Sequence, residues 1–315
     1  VLMFRLRARS FGILETTKMS ASMAALFHLG NGFAFDGSGP LMHWSWSAAA
    51  AGLYLAACAL HNARRDRSRR ATEEVASRPW TLLDSAAVVH NCILVVFSMV
   101  VFVLASAHAG DAVAARGLHS FLCPPPPAPG SVSPPAPLHG PLHFWCYVFY
   151  LSKYYEMLDT MLLVLSGKPV IALHAFHHAF MPLVMWALFY GGVSVSLVGL
   201  AVLNSLVHVV MYSYYLASAL RRSPPLWWKR RITQVQILQF SVGAIGGTYY
   251  WVMYFKDVAL LYEGGWPRLT YSEGCAGGEP LMVLVGYSMN LVLLALFLSF
   301  YRRAYRSTRS KAKAQ

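Results

Sequence analysis

Seven long apolar stretches run along this chain, and short polar segments separate them. They lie near residues 42–60, 81–107, 142–165, 170–190, 193–220, 231–255 and 280–301. A helix that crosses a bilayer needs about 20 predominantly apolar residues, and each stretch is long enough to do so. The pattern therefore predicts an all-α polytopic membrane protein with seven transmembrane helices.

The composition agrees with this prediction. Of the 315 residues, 57% are hydrophobic and only 12% are charged, which leaves too few ionic groups to cover the surface of a water-soluble domain. No segment between the stretches is as large as an independent domain. We therefore expect one membrane domain over residues 42–301, a flexible N-terminal segment over residues 1–41 and a basic tail over residues 302–315.

Basic residues are concentrated in alternate loops. Six arginines lie between residues 61 and 80, whereas the loop 108–141 has Arg116 alone and the loop 256–279 has two basic residues against four acidic ones. By the positive-inside rule, the C-terminus then lies in the cytosol and the N-terminus on the opposite side. The formal charge of +13 does not indicate a nucleic-acid partner, because the basic residues are not gathered on one face.

Two of the five cysteines, Cys123 and Cys275, fall in loops that the charge pattern assigns to the same non-cytosolic side. A disulfide between them is possible if that side is the lumen of the endoplasmic reticulum, which permits oxidation. The sequence leaves open whether they form this bond or remain two free thiols. A run of prolines follows Cys123 and predicts an extended polyproline segment.

Polar side chains interrupt four of the apolar stretches. The third stretch holds Lys153, Glu156 and Asp159, and the fourth holds His174, His177 and His178. The fifth holds Asn204, His208, Tyr212 and Tyr215, and the sixth holds Thr233, Gln236 and Gln239. Such groups are costly inside a membrane, so each is a candidate functional residue. A buried Lys–Glu pair, a single histidine or interhelical glutamines can also be purely structural, whereas three histidines on one apolar helix rarely are.

Helical geometry brings these polar residues to a common depth. Residues three or four apart share one face of a helix, so the three histidines of the fourth stretch point the same way. With the topology above and a rise of about 1.5 Å per residue, the polar residues of all four stretches fall about 8 to 18 Å from the cytosolic ends of their helices. We therefore expect one polar site that opens to the cytosol.

Four ordered motifs in these stretches resemble those of the ELO family of very-long-chain fatty acid elongases, over residues 80–301. They are Lys153-Tyr-Tyr-Glu156-Met-Leu-Asp159-Thr160, His174-x-x-His177-His178, Asn204-x-x-x-His208-Val-Val-Met-Tyr212-x-Tyr214-Tyr215 and Thr233-x-x-Gln236-x-x-Gln239. The resemblance implies that the last six of seven helices enclose a closed-ended acyl tunnel. It also implies residence in the endoplasmic reticulum and 3-ketoacyl-CoA synthesis from acyl-CoA and malonyl-CoA. The tail residues Lys311 and Lys313 resemble a lysine-based retrieval signal.

Condensation of two thioesters needs a residue that holds the acyl group in activated form. Cys146, the only cysteine of the third stretch, lies about 28 Å from the cytosolic end of its helix and cannot reach the polar layer. A neutral imidazole can act as the nucleophile and gives a reactive acyl-imidazole. Our hypothesis is that His177 takes the acyl group from the first CoA, while His174 and His178 orient it or move protons.

The other predicted site residues serve malonyl-CoA and the CoA arm. Decarboxylation gives an enolate, for which His208, Asn204 and Lys153 are the candidate donors. Glu156 and Asp159 are expected to set the charge states of the lysine and the histidines. The predicted substrate-binding residues are Asn204, Tyr212, Tyr215, Thr233, Gln236, Gln239 and Arg230, and the basic cytosolic loops are expected to bind the CoA phosphates. We expect no metal and no cofactor.

Two other functions fit parts of the pattern. Membrane di-iron desaturases and hydroxylases also use His-x-x-His-His, but they need about eight histidines in several boxes, and this chain adds only the isolated intramembrane residues His90 and His208 to one box. A seven-helix receptor or transporter could use the polar layer as a ligand or proton site. The expected partners are membrane lipid, the reductases and dehydratase of the elongation cycle, and a second copy of the chain. Acyl length and unsaturation stay open.

Overall fold

The computed structural model describes residues 21–35, 37, 39–67, 79–124, 138–255, 259–263, 266–270, 275 and 277–311. The helices within this part are α1 (Ala21–His28), α2 (Trp44–Arg67), α3 (Leu82–Arg116), α4 (Leu118–Leu122), α5 (Gly140–Tyr155), α6 (Leu158–Leu165), α7 (Ala172–Tyr190), α8 (Ser194–Gly199), α9 (Ser205–Ala219), α10 (Leu226–Tyr254) and α11 (Pro280–Lys311). The predicted helical architecture is confirmed. One addition is an antiparallel hairpin of β1 (Ala259–Glu263) and β2 (Trp266–Thr270), which the apolar pattern did not predict.

Four helices of the described residues are long and apolar enough to cross a membrane. They are Leu82–Arg116, Ala172–Tyr190, Ser194–Ala219 and Pro280–Tyr305, and they coincide with the predicted second, fourth, fifth and seventh stretches. The first, third and sixth stretches are also helical, as α2, α5 with α6, and α10. Basic residues end α2 and begin α10, whereas the third stretch is divided into α5 of 16 residues and α6 of 8 residues, each too short to span a membrane alone.

The third stretch is not the single regular helix that the sequence predicts. Between α5 and α6 the backbone tightens, since the N–H groups of Met157, Asp159 and Thr160 each bond to the carbonyl three residues earlier, at 3.3, 3.1 and 3.1 Å. Side chains three apart nearly eclipse in such a turn. The tightening therefore aligns Lys153, Glu156 and Asp159 along one side of the segment.

The fifth stretch contains a π-helical turn over Leu200–Asn204, between α8 and α9. A wide turn of this kind shifts the following residues around the helix axis, and such turns are frequent at functional sites. It ends at Asn204, whose side chain is buried. The turn thus places a polar residue inside the bundle at the start of α9.

The packed core lies between α5, α7 and α8. Its fully buried members include Phe149 and Tyr150 of α5, Leu188 and Phe189 of α7, and Leu197 of α8. The rings of Tyr150 and Phe189 approach with centroids 5.9 Å apart. On α5 this aromatic layer adjoins the polar residues, since Nζ of Lys153 lies 3.8 Å from the ring centroid of Phe149, so it supports them directly.

Two glycines allow α10 and α11 to approach closely. A Cβ added at Gly243 would lie 2.5 Å from the side-chain oxygen of Asn290, and one at Gly247 would lie 2.2 Å from the ring of Tyr287. Glycines four apart on one face are a common device for close helix packing in membranes. Because the two helices are this close, Nδ2 of Asn290 on α11 can donate a 2.9 Å hydrogen bond to the carbonyl of Phe240 on α10.

Part of the predicted flexible N-terminal segment is folded. From residue 21 the N-terminal segment forms α1 and then a bridge between Ala34 and His139, and the ring of Phe33 stacks on Tyr147 at 5.6 Å. Apolar side chains that pack on α5 explain this correction. At the other end α11 continues to Lys311. The predicted polyproline run lies outside the described residues.

A disulfide joins Cys123, at the end of α4, to Cys275, shortly before α11. The sequence left this pairing open against two free thiols, and the structure contains the bond. It closes a separation of 152 residues and ties the connection after α3 to the connection before α11. The free thiols among the described residues are Cys58, Cys92 and Cys146.

Candidate active site

A cavity of about 680 Å³ lies among α3, α6, α7, α9, α10 and α11. The predicted site residues that line it are Asp159, His174, His177, His178, Asn204, His208, Tyr212, Tyr215, Thr233, Gln236 and Gln239. The structure therefore brings side chains from four separate predicted stretches to one space. Lys153, Glu156 and Arg230 are the predicted residues that do not line it.

Lys153 and Glu156 form a buried ion pair behind the cavity wall. The lysine Nζ lies 2.6 Å from Oε1 of Glu156, and the two residues are 2% and 1% exposed. A buried charge must be fully paired, because its desolvation costs several kcal/mol. Glu156 Oε1 also accepts from Ser152 Oγ at 2.9 Å and lies 3.6 Å from Nδ1 of His208. The pair thus supports a histidine that faces the cavity.

A chain of polar contacts runs from this ion pair across the bundle. Lys153 Nζ donates to Oδ1 of Asn204 at 3.3 Å. Asn204 in turn donates from Nδ2 to Oε1 of Gln239 at 3.4 Å. The contacts link α5, the π-helical turn and α10. These two hydrogen bonds orient the side-chain amides of Asn204 and Gln239, because an amide donates from its nitrogen and accepts at its oxygen.

Asp159 forms a second centre in the layer. Its Oδ2 accepts from the Tyr212 hydroxyl at 2.7 Å and lies 3.8 Å from Nε2 of His178. Its Oδ1 lies 2.7 Å from Nε2 of His90 on α3. The other ring nitrogen of His90 is 3.3 Å from the Tyr155 hydroxyl. One carboxylate therefore connects side chains of α3, α6, α7 and α9.

His90 is the site residue that the sequence motifs missed. It is buried, and it lines the cavity beside Asn91. The available signal was a lone ionisable side chain in an otherwise apolar stretch, which marks a functional candidate. The sequence contains no indication that Asp159 is its partner, because the two lie on different helices.

The three histidines of α7 differ in their partners. His174 has its Nε2 at 2.7 Å from the Thr160 hydroxyl, and His178 faces Asp159. His177 forms no side-chain hydrogen bond among the described residues, and its Nδ1 is enclosed without a hydrogen bond. An enclosed ring nitrogen without a partner is unusual in a folded protein. Within the described part of the chain, His177 is thus the histidine of this box without a hydrogen-bond partner.

His177 also lies where the cavity meets an apolar pocket. This smaller pocket, of about 30 Å³, is lined by Met181, Val184, Met289 and Leu293 among others. The two spaces share His177, Asn204, Gln239 and Phe240 as lining residues. His177 therefore has the larger cavity, with its histidine and amide side chains, on one side and methionine and leucine side chains on the other.

Basic residues stand at the polar end of the cavity, where Lys168, Arg221 and Lys229 contribute to its lining. Arg221 pairs with Asp84 at 3.1 Å. The predicted substrate-binding residue Arg230 is instead exposed, and its Nε donates to the Tyr301 hydroxyl at 3.0 Å. Neighbouring residues of a helix point about 100° apart, so Lys229 faces the cavity where Arg230 cannot.

No group of three or more His, Cys, Asp and Glu side chains is arranged to hold a metal ion within the described part of the chain. His90, His174, His178 and His208 each bond to, or face, a hydroxyl or a carboxylate. Cys146 is fully buried in α5 and does not line the cavity. The chemistry available at the cavity is therefore that of imidazole, carboxylate, amide and phenol groups.

Comparison with known proteins agrees with the motifs of this layer. The family model for the GNS1/SUR4 (ELO) family matches residues 40–313. The chain is 34% identical to fatty acid elongase sre1 of Dictyostelium discoideum over 229 residues, 72% of this chain and 74% of that protein. It is 33% identical to very long chain fatty acid elongase 7 of Rattus norvegicus over 168 residues, 51% of this chain and 52% of the relative. No solved structure gives a significant match.

The residues that match the family include every helix that contributes to the cavity, and both relatives are named as fatty acid elongases. With its helices long enough to cross a membrane, the protein is a multi-pass membrane protein. This chain therefore belongs to the ELO (GNS1/SUR4) family of fatty acid elongases.

Proposed function

We propose that this protein condenses a long-chain acyl-CoA with malonyl-CoA to give 3-ketoacyl-CoA, CO₂ and CoA, and that His177 carries the acyl group between the two half-reactions. The observation that carries the proposal is the position of His177. Among the described residues it is the box histidine without a hydrogen-bond partner, and it lies between the cavity of the polar layer and a pocket lined by Met181, Val184, Met289 and Leu293 among others. Such a position suits a nucleophile whose substrate has a polar arm and an apolar chain.

In the first half-reaction, a ring nitrogen of His177 attacks the thioester carbonyl carbon. The carbon–nitrogen bond forms, the carbon–sulfur bond breaks, and CoA leaves as a thiolate that takes up the proton lost by the imidazole. An imidazole is nucleophilic when neutral, and the acyl-imidazole that results is reactive enough to be attacked in turn. The nearby donors, Asn204 and His208, stabilise the negative charge on the carbonyl oxygen.

In the second half-reaction, malonyl-CoA loses CO₂ and the electron pair stays on the remaining fragment as an enolate. Its carbon attacks the acyl carbon, the bond to His177 breaks, and the imidazole recovers one proton from solvent. Asn204 and His208 line the cavity and can donate to the enolate oxygen. Lys153 does not line it, so we assign the lysine an indirect role through its hydrogen bond to Asn204.

The two ends of the site suit the two ends of the substrate. Lys168 and Lys229 stand where the CoA phosphates would enter, and charge-assisted contacts to phosphate are among the strongest hydrogen bonds. The apolar pocket beyond His177, lined by Met181 and Met289 among others, supports entry of the acyl chain toward the opposite side of the membrane. We propose that this pocket begins a tunnel enclosed by the last six of seven spans.

We further propose that the protein resides in the endoplasmic reticulum with its C-terminus in the cytosol. The alternation of basic loops supports this orientation. A disulfide at Cys123 and Cys275 also supports it, because the lumen permits oxidation whereas the cytosol keeps thiols reduced.

The test of the proposed function is elongation by purified protein. Incubation with saturated, monounsaturated and polyunsaturated acyl-CoAs together with malonyl-CoA should give 3-ketoacyl-CoA two carbons longer, and CoA release beyond the first equivalent per protein should require malonyl-CoA. A protein that binds acyl-CoA but never releases CoA would instead be a binding or transport protein. Stoichiometric iron, together with oxygen-dependent desaturation or hydroxylation, would overturn the proposal in favour of a di-iron enzyme.

A further inference from the structure

Two hydroxyl groups connect α2 to the histidine box. The Tyr54 hydroxyl lies 2.5 Å from Oγ1 of Thr160 on α6, and the same Oγ1 lies 2.7 Å from Nε2 of His174 on α7. Tyr54 is not part of any motif, and its helix does not contribute to the cavity lining. A residue of the first long helix is thus two hydrogen bonds away from the candidate active site.

The position of α2 beside α7 is fixed at two further points. Near its C-terminus, Asn62 bonds to both backbone groups of Val170, donating to the carbonyl at 2.8 Å and accepting from the N–H at 3.1 Å. Just before its N-terminus, the Met42 carbonyl accepts from Nε1 of Trp186 at 2.8 Å. Tyr54 lies between these anchors, so its hydroxyl is held at a constant distance from Thr160.

The direction of the hydrogen bonds follows from the partners. The Tyr54 hydroxyl bonds to Oγ1 of Thr160 and also contacts the Cys58 thiol on its own helix. Sulfur is a weak acceptor whereas a thiol can donate, so the phenol proton points to Oγ1. The Thr160 proton is then directed to Nε2 of His174. A nitrogen that accepts carries no proton in a neutral imidazole, and the proton of His174 therefore resides on Nδ1.

Nδ1 of His174 is on the side of the ring that substrate can reach. It has no partner within the described residues and, unlike Nδ1 of His177, it is not sealed from solvent. His174 lines the cavity one helical turn before His177. An N–H group at this position can donate to an oxygen that becomes negative when the neighbouring imidazole attacks a thioester.

We propose that Tyr54 is a positioning residue for the condensation: through the Thr160 hydroxyl it holds His174 in the tautomer that presents an Nδ1–H donor to the substrate. This inference rests on the proposed function. The phenol touches no reacting atom, and its effect is exerted entirely through the ring of His174.

Kinetics of Tyr54→Phe, measured on the full-length protein beside wild type, test the role in the reaction. The change retains the aromatic ring and removes only the hydroxyl, so kcat should fall about fivefold to tenfold, as for loss of one buried hydrogen bond, with KM for acyl-CoA unchanged. Ser47→Ala is the matched control, because Ser47 lies on the same helix and its hydroxyl bonds to Tyr154 at 2.7 Å without reaching the histidines. It should retain the kcat of wild type.

A double-mutant cycle tests whether Tyr54 and Thr160 act together on His174. We call this chain of two hydrogen bonds the relay, and the alternative is that the two residues have independent packing effects. Thr160→Val should lower kcat at least as much as Tyr54→Phe, and adding the second change should lower it no further, because both remove the same chain. Thr160→Ser retains a hydroxyl and should recover most of the activity. Effects of the two single variants that multiply, or wild-type kcat in Tyr54→Phe, would overturn the inference.

Chemical modification gives a readout that does not depend on activity. Diethyl pyrocarbonate reacts with the unprotonated ring nitrogen of histidine, which in His174 is the Nε2 covered by Thr160. Peptide mass spectrometry should find His174 protected in wild type and in Ser47→Ala, and modified several-fold faster in Thr160→Val and Tyr54→Phe. Equal rates in all four proteins would overturn the relay. Wild-type protein that lacks elongation but shows the predicted protection would contradict the proposed function and not the relay.

Discussion

Asp159 and His90 lie on different helices and share a hydrogen bond of 2.7 Å between Oδ1 and Nε2. The second oxygen of the same carboxylate accepts from Tyr212 and faces His178. The orientation of Asp159, and with it the positions of two side chains in the cavity, therefore depends on an imidazole that belongs to no motif.

Replacement of His90 tests this dependence. His90→Phe should lower kcat about tenfold, as expected when the hydrogen-bonded support of an active-site group is removed. His90→Gln, which retains an N–H donor, should recover part of it. The control is His108→Phe on the same helix, since His108 bonds to the carbonyl of Phe27 and does not line the cavity. If both phenylalanine variants have equal kcat, His90 does not support the site.

The effects of replacing Lys153 and Glu156 on the free energy of unfolding should be strongly coupled. Lys153→Met leaves the Glu156 carboxylate buried without its partner, and removal of one member of such a pair typically costs about 3 to 5 kcal/mol. Thermal unfolding in detergent should therefore show a large drop in Tm for Lys153→Met. The double variant Lys153→Met with Glu156→Gln should unfold at a higher temperature than that single variant. A double variant that is less stable by the sum of both losses would contradict the pairing.

Lysines at the polar end of the cavity should affect substrate affinity more than turnover. Lys229→Ala and Lys168→Ala should each raise KM for malonyl-CoA about threefold to tenfold, as for loss of one charge-assisted contact, and added salt should reduce the difference. Arg231→Ala is the control, because Arg231 is on the same helix as Lys229, bonds to Gln234 and is not a lining residue. A uniform rise of KM in all three variants would indicate a general effect of surface charge.

Close packing of α10 on α11 gives a prediction about stability. Gly247→Leu forces a side chain into the ring of Tyr287, and such overpacking typically costs about 1 to 3 kcal/mol. Gly246→Leu is a matched control, since a Cβ at Gly246 meets no atom within 4 Å. A lower Tm in the first variant alone is expected. Equal Tm values would contradict the close approach of the two helices.

The sequence predicted those features of the site that depend on one helix at a time. Spacing of three and four residues placed His174, His177 and His178 on one face because helix geometry fixes that relation. Tyr54 and His90 could not be found in this way. Neither belongs to a motif of spaced polar residues, and the partner of each depends on which helices become neighbours, which no local pattern records.

The sequence pattern also did not predict the departures from regular helix. The tightened turn after Tyr155 and the π-helical turn over Leu200–Asn204 contain neither proline nor glycine, the usual signals of an interrupted helix. Glu156 lies in the first turn and Asn204 in the second. The irregular backbone therefore occurs where these two side chains form the hydrogen bonds of the polar layer. The hairpin of β1 and β2 was missed because the apolar pattern reports long helices best.

If His177 carries the acyl group, the protein should form a covalent adduct with acyl-CoA at this residue. Purified protein is incubated with acyl-CoA alone, and its peptides are analysed by mass spectrometry. We expect an acyl group on the His177 peptide, its loss when malonyl-CoA is added, and its absence in His177→Ala. An adduct that persists in His177→Ala, or elongation by that variant at the wild-type rate, would contradict the account.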